Sequence, residues 1–473
     1  MKFNLLKRNA HKTVGLVIMV LITSCKKLVE IPQPINSITT EKAFDTDAGA
    51  KSAVNGIYLQ LSYNTNNPDY ANSSLSAFTG CSSDELVSTS SGSDATDFQL
   101  NNLLESNYFV LSNFWIPAYS TIYQCNAVLE GLDASSGVSS QVKQQLKGEV
   151  LFLRAYSYFY LINLFGDVPL VTSTSFKTNA LLSRSPVSSV YDQILVDLKS
   201  SQNFLPVNFS ILDGESSRIY ANKYAATALL ARVYLYLGLW SDAEVQASTV
   251  INDTKDLELL SDLNSIFLKN SKESIWQLEV VDRYPYATLE ADSFIPSDSN
   301  SIPKYNLTSV LLNSFEAGDK RKIAWVGNSK VSTNFYYYPQ KYKVKNGTSG
   351  NITEYYTLLR LSEQYLIRAE ARANQGKLTD AISDLNVIRK RASLSDLPSL
   401  LNKTDVLTAV AQENKIEFFA EMGHRWLDLK RTKTANDVLG PFKGSNWQST
   451  DQLFPIPASE RSVNPNLTQN PGY

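Results

Sequence analysis

The sequence predicts a mainly α protein, a tetratricopeptide-like scaffold of helical hairpins that carries a large loop-rich insertion with short strands. Three observations predict it. Apolar residues recur at helical spacing over much of the 473-residue chain. One helix–turn–helix segment repeats at an offset of 138 residues. Between the two copies, residues 256–357 lose that periodicity and become rich in Pro, Tyr, Asn and Ser.

The elements follow in order. Lys2, Lys7, Arg8 and Lys12 precede an apolar run from Val14 to Ile22, long enough for a secretory segment and too short to span a bilayer. It ends Leu21-Ile22-Thr23-Ser24-Cys25, which resembles the lipobox of bacterial lipoproteins. That resemblance implies a signal peptide over residues 1–24 and acylation of Cys25. Cleavage there takes the formal charge from -2 to -6, because the leader carries four cations and no acid. Residues 25–40, with Pro32 and Pro34, read as a lipidated tether, and 41–473 as the body.

A helical pattern starts near Thr40-Glu41-Lys42-Ala43 and passes through Ala53, Val54, Ile57, Tyr58 and Leu61. From Asn64 to about Asn102 the chain is rich in Asn, Ser, Asp and Gly and reads as long surface loops. Helical spacing returns over Phe114–Leu132 and Gln141–Phe165. Ser185-Pro186 predicts a helix start, with Ser as cap and Pro at the first helical position, ahead of the face Val187, Tyr191, Ile194 and Leu198. In the repeat, Ala231, Gly238, Asp242 and Ala243 match Ala369, Gly376, Asp380 and Ala381. Small residues allow close helix approach, and Gly ends the first helix of each hairpin. Gly148–Phe165, with Ala155, is a candidate third first-helix. Within the insertion, Ser274–Val280 alternates as a short strand, and Trp276 is assigned to the core.

Lys and Arg total 44 against 46 Asp and Glu, so no basic field favours nucleic acid. The body has one histidine, His424, in Glu421-Met422-Gly423-His424-Arg425-Trp426, where the apolar spacing suggests a packed, structural residue. Triad chemistry and His/Cys zinc sites lack their residues. No Gly-rich nucleotide loop and no EF-hand loop occurs, and no cofactor or metal is implied. Cys81 and Cys125 could pair, but free, partly buried thiols are the expectation. Arg389-Lys390-Arg391 reads as a solvated helix end. What remains is a set of aromatics in polar, loop-like surroundings: Tyr63, Tyr70, Phe78 and Phe98, then Tyr284, Tyr286, Trp325 and Tyr336-Tyr337-Tyr338. Flat rings beside Asn, Asp and Ser suit sugars, whose C–H faces stack while their hydroxyls need polar partners.

Ordered motifs then carry a resemblance. Thr40-Glu41-Lys42-Ala43-Phe44, Asn55-Gly56-Ile57-Tyr58 and Gly148-Glu149 to Arg154-Ala155 precede Leu164-Phe165-Gly166-Asp167-Val168-Pro169-Leu170. Tyr365-Leu366-Ile367-Arg368-Ala369-Glu370-Ala371, Glu413-Asn414-Lys415, His424-Arg425-Trp426-Leu427-Asp428 and the closing Asn470-Pro471-Gly472-Tyr473 follow. Together these resemble the SusD/RagB family of Bacteroidetes outer-membrane lipoproteins. The resemblance implies a non-enzymatic protein at the cell outer membrane, lipid-anchored and facing outward. Such a protein captures oligosaccharides, or in some branches peptides, and caps a SusC-like TonB-dependent transporter barrel. It places ligand contacts in the loops about 62–105 and 256–357, and there the chain offers Tyr70, Asp94, Asp97, Phe98, Tyr284, Tyr286 and Trp325. The quoted motifs themselves read as scaffold. A surface glycosidase, needing two carboxylates, and a purely structural repeat adaptor are the competing readings.

Overall fold

A computed structural model describes residues 40–62, 70–89, 94–212 and 215–473. The signal segment, Cys25, the tether up to residue 39 and Tyr63 lie outside the described residues. The chain forms two units, residues 1–43 and 44–473. The described part of the first is one helical turn, Thr40–Ala43.

The second unit is built around a stack of helices. Its principal helices are Asp47–Ser62 (α1), Ser73–Ser82 (α2), Asp94–Leu100 (α3), Ile116–Ala134 (α4), Ser140–Phe165 (α5) and Val187–Phe204 (α6). Then come Lys223–Tyr236 (α7), Trp240–Ile251 (α8), Leu361–Asn374 (α9), Leu378–Arg391 (α10), Lys403–Glu417 (α11) and His424–Arg431 (α12). Neighbours pack in the order α4, α5, α6, α7, α8, α9, α10, α11, so the insertion between α8 and α9 leaves the stack unbroken. The centre is α5, buried almost all round from Leu146 onward because its sequence is apolar on every face.

The repeat is structural. In the α7–α8 turn Gly238 has φ 70°, and in the α9–α10 turn Gly376 has φ 79°. Leu239 N donates to Tyr234 O, and Lys377 N to Arg372 O, each at 2.9 Å. These are the same left-handed helix endings 138 residues apart, and glycine takes that conformation without the cost a Cβ brings. Ala231, Ala243, Ala369 and Ala381 are fully buried where the helices cross. At the end of α5, Gly166 also has positive φ (73°), but a segment held by the Val168–Ser185 bridge intervenes before α6. The predicted helix start moves by one residue. Pro186 precedes the first helical residue, and Asp167 Oδ1 accepts from Val187 N at 2.9 Å, so a distant aspartate does the capping expected of Ser185.

The reading of Asn64–Asn102 as surface loops is overturned over Tyr70–Leu86. Asn72 to Ser83 is buried, and Ser73–Ser82 is helical. Its hydroxyls find backbone or side-chain partners: Thr79 Oγ1 donates to Leu75 O, Ser82 Oγ to Phe78 O, and Asn113 Nδ2 donates to Ser74 Oγ. Small polar side chains that bond within the helix permit close packing, and composition reads them as exposure. Cys81 and Cys125 are buried and free, and burial pushes the Cys81 thiol up to about 12.

Among the described residues, two strand pairs form within the insertion and at its border. Ser274–Leu278 pairs with Tyr356–Arg360, and Val326–Val331 forms a hairpin with Asn334–Pro339. Trp276 is in the core, with Nε1 donating to Ile219 O at 3.3 Å.

A buried ionic lattice fastens this insertion to the C-terminal helices. Arg360 bonds Glu273, Glu417 and Glu421, while Arg321 bonds Asp319, Glu413 and Glu417. Arg391 bonds Glu273 and Glu417, Arg389 bonds Glu413 and Glu316, and Lys341 bonds Glu421. Of Arg389-Lys390-Arg391, therefore, only Lys390 is the solvated charge the sequence suggested. The side chains of the two arginines are buried because carboxylates from other segments replace their water.

Candidate functional site: an aromatic and polar rim

The two loop regions meet through a pair of short strands. Strand Leu86–Ser88 pairs antiparallel with Tyr305–Leu307, Leu86 opposite Leu307 and Ser88 opposite Tyr305. The pairing continues beyond the strand. Thr89 N donates to Lys304 O at 2.9 Å, and its hydroxyl donates to Pro303 O, 214 residues away, at 2.8 Å. Thr89 and the Pro303–Lys304 segment of the insertion thus share a rim.

From Lys304 the rim continues through charge. Its ammonium lies 3.9 Å from Asp292, and Lys345 Nζ donates to the Asp292 carboxylate at 3.2 Å and to its backbone carbonyl at 2.7 Å. Next to Lys345, Asn346 Oδ1 accepts from the Tyr284 hydroxyl at 3.4 Å, and Gly347 N donates to Pro285 O at 2.8 Å. A Cβ on Gly347 would lie 2.1 Å from Tyr286 O, so only glycine lets these segments approach. Asp282 ties down the far side, accepting from Ser349 Oγ and Gly350 N at 3.1 Å each.

The braced loop presents two rings. Tyr284 is 71% exposed, Tyr286 is half-buried, and they meet edge to face with centroids 6.4 Å apart and planes at 88°. Tyr286 has φ 57°, a left-handed conformation that costs a non-glycine residue on the order of 1 kcal/mol and is held by its N–H to Arg283 O at 2.7 Å. On the adjoining hairpin, Phe335 and Tyr337 face solvent while Tyr338 is buried. Lys330 N donates to Ser299 O at 2.9 Å and so joins that hairpin to the same rim. Exposed ring faces with amide, hydroxyl, carboxylate and ammonium groups beside them can hold a polyhydroxylated ligand without a covalent step.

The other sequence-predicted contacts lie elsewhere. Tyr70 is buried, its hydroxyl bonded to Ser157 Oγ at 2.7 Å and its ring against Tyr156 and Tyr160. Phe98 is buried and stacks on Phe78 at 4.7 Å. Trp325 is buried, with Nε1 donating to Leu263 O at 3.1 Å and the Lys341 ammonium 4.9 Å from its ring centroid. For these rings the expected exposure is corrected, since partners far away in sequence cover their faces. Asp97 is half-buried and accepts from Asn107 Nδ2 at 3.0 Å. Asp94 opens α3, and its side chain lies outside the described residues. Lys304, Asp292, Lys345, Asn346 and Phe335 are rim residues that sequence reasoning missed. Their pairings span distant segments, so local patterning carries no signal for them.

His424 is structural in its surroundings. It stacks on Phe418 with centroids 4.4 Å apart, and burial, then Arg232 and Arg360, hold its ring well below the usual histidine range and neutral. Among the described residues, no group of three or more His, Cys, Asp or Glu is placed to hold a metal ion, and no helix is long and apolar enough to cross a membrane.

Comparison with known proteins agrees with this architecture. A family model described as starch-binding and associating with the outer membrane matches residues 40–235, and the SusD family model matches residues 324–473. A SusD-like protein P2 of Formosa agariphila is 26% identical, covering 98% of this chain and 99% of that protein. The starch-binding protein SusD of Bacteroides thetaiotaomicron is 24% identical over 72% of this chain and 75% of its own length. Among solved structures, a SusD superfamily protein from Bacteroides vulgatus superimposes with a TM-score of 0.81 at 22% identity, covering 90% of this chain and 99% of that one.

Proposed function

We propose a function from one premise: the chain belongs to the SusD/RagB family. The protein is a non-catalytic, cell-surface oligosaccharide-binding subunit. It is anchored at the outer membrane through acylated Cys25, faces outward, and delivers ligand to a SusC-like TonB-dependent transporter. The observation that carries the ligand assignment is the exposed Tyr284 beside half-buried Tyr286, set in a polar rim where the two loop regions meet. A relative named for starch binding supports the same class. Rings stack on sugar C–H faces, and Asn346, Asp292, Lys304 and Lys345 supply polar contacts without nucleophilic chemistry.

The test is calorimetric titration of residues 26–473 with oligosaccharide and peptide panels. Oligosaccharide binding is expected, weakened about tenfold in Tyr284→Ala, as the loss of one stacking contact worth about 1–1.5 kcal/mol predicts. The melting temperature should stay unchanged, because the ring is mostly exposed. Binding of peptides alone, or release of reducing ends from a polysaccharide panel, would overturn the reading.

A further inference from the structure

A second groove opens beside the rim, about 400 Å³ in volume, between α1 and the chain leaving the Ser274–Leu278 strand. Asn55, Gly56 and Leu59 of α1 form one wall, and Tyr220, Glu279 and Val281 form the other. Tyr220 stands edge-on to Tyr58 with centroids 5.3 Å apart, and its hydroxyl bonds to the Asn55 side chain. Glu279 is exposed, and one of its oxygens accepts from Tyr355 OH at 3.0 Å. Among the described residues, no basic side chain lines the groove.

Gly56 is the residue that the fold leaves unexplained. It sits in the interior of a 16-residue helix, where glycine is among the poorest choices, and it ends nothing. A Cβ built there meets no atom within 4 Å. Packing among the described residues therefore does not require glycine, and alanine would favour the helix. A bare backbone facing an open groove suits the close approach of something from outside the chain.

We infer that this groove is a saccharide subsite that extends the Tyr284 rim, with the ligand lying against the bare backbone at Gly56. The inference rests on the saccharide reading of the rim. Val281 lines the groove, and Tyr284 is three residues further on, at most about 10 Å of extended chain. One oligosaccharide can therefore span both. Among the described residues, the sole charged side chain lining the groove is the Glu279 carboxylate, so the saccharide it takes is neutral, and uronates or sulfated sugars are repelled.

The experiment compares neutral di- and hexasaccharides of the sugar that the rim binds, titrated into the native protein, Gly56→Leu, Glu279→Gln and Tyr284→Ala. Gly56→Leu fills the groove from a position with room for a side chain. Its melting temperature should equal or exceed the native value. The hexasaccharide should lose at least tenfold in affinity and the disaccharide less than twofold, while Glu279→Gln weakens the hexasaccharide and admits its uronate analogue. Native hexasaccharide affinity in both Gly56→Leu and Glu279→Gln, with binding lost in Tyr284→Ala, would overturn the groove and leave the rim standing. Unchanged saccharide affinity in Gly56→Leu together with loss of co-purification with the membrane barrel would also overturn it, making the groove a protein contact. No saccharide binding by the native protein would sink both readings.

Discussion

Replacing Glu417 with glutamine should destabilise the protein by about 3–5 kcal/mol at pH 7, the usual cost of breaking a buried charge cluster by removing one partner. Glu417 is fully buried at the end of α11, and its carboxylate is shared by Arg321 at 3.2 Å, by Arg360 at 2.5 Å and by Arg391. The buried cations are Arg321, Arg360, Arg389, Arg391 and Lys341, and the buried anions facing them are Glu273, Asp319, Glu413, Glu417 and Glu421. These charges balance, so glutamine leaves one buried cation uncompensated at nearly constant volume. Each arginine keeps another carboxylate, which argues for the lower half of the range. Burial alone would raise the Glu417 carboxyl, but Arg391, Arg360 and Arg321 outweigh it and hold it well below the ordinary 4.5. A depressed carboxyl contributes stability above its unfolded value and loses it as the pH falls through its folded value. Urea unfolding should therefore show the full gap at pH 7 and a shrinking gap as the pH falls below 4.5. A gap under about 1 kcal/mol at pH 7, or one that stays constant into acid, would refute the idea that this lattice holds the insertion in place.

Trp325→Ala should cost about 3–5 kcal/mol in a denaturant titration because it removes a fully buried ring, and any loss of ligand should track unfolding instead of a local contact. Gly376→Ala should cost about 1–2 kcal/mol, all of it from the φ of 79°, since a Cβ there meets nothing within 4 Å; Gly376→Asn should cost less, and thermal melts separate the two. Glu85 is raised to about 8, chiefly by burial and then by Asp84, so its favourable contribution is complete below 4.5 and disappears as the pH rises through 8. Glu85→Gln should consequently flatten the fall in stability between pH 5 and pH 8, and equal slopes for variant and native protein would contradict the assignment.

Patterns confined to one element carried the architecture. The Gly-x-x-x-Asp-Ala repeat marks two hairpins because a left-handed turn and small crossing residues are local demands, met within a few residues of each other. Tyr284 and Tyr286 stood out as rings in a polar loop, and the structure puts Tyr284 at the surface and Tyr286 half-buried beside it. Tyr70, Phe98 and Trp325 stood out for the same reason, yet each is buried, because an aromatic in a polar stretch looks alike whether its covering partner exists or not. The Ser-rich α2 shows the converse, with hydroxyls satisfied inside a packed helix.

By itself, then, the sequence determined the fold class, the helical hairpins and the position of the insertion. Each of these depends on periodicity or residue chemistry over short spans. Only the tertiary structure decided which rings face solvent, which arginines leave water, and that Thr89, Lys304, Asp292, Lys345 and Tyr284 share one rim. Burial and ion pairing depend on what arrives from elsewhere in the chain, and Thr89 meets a partner 214 residues away.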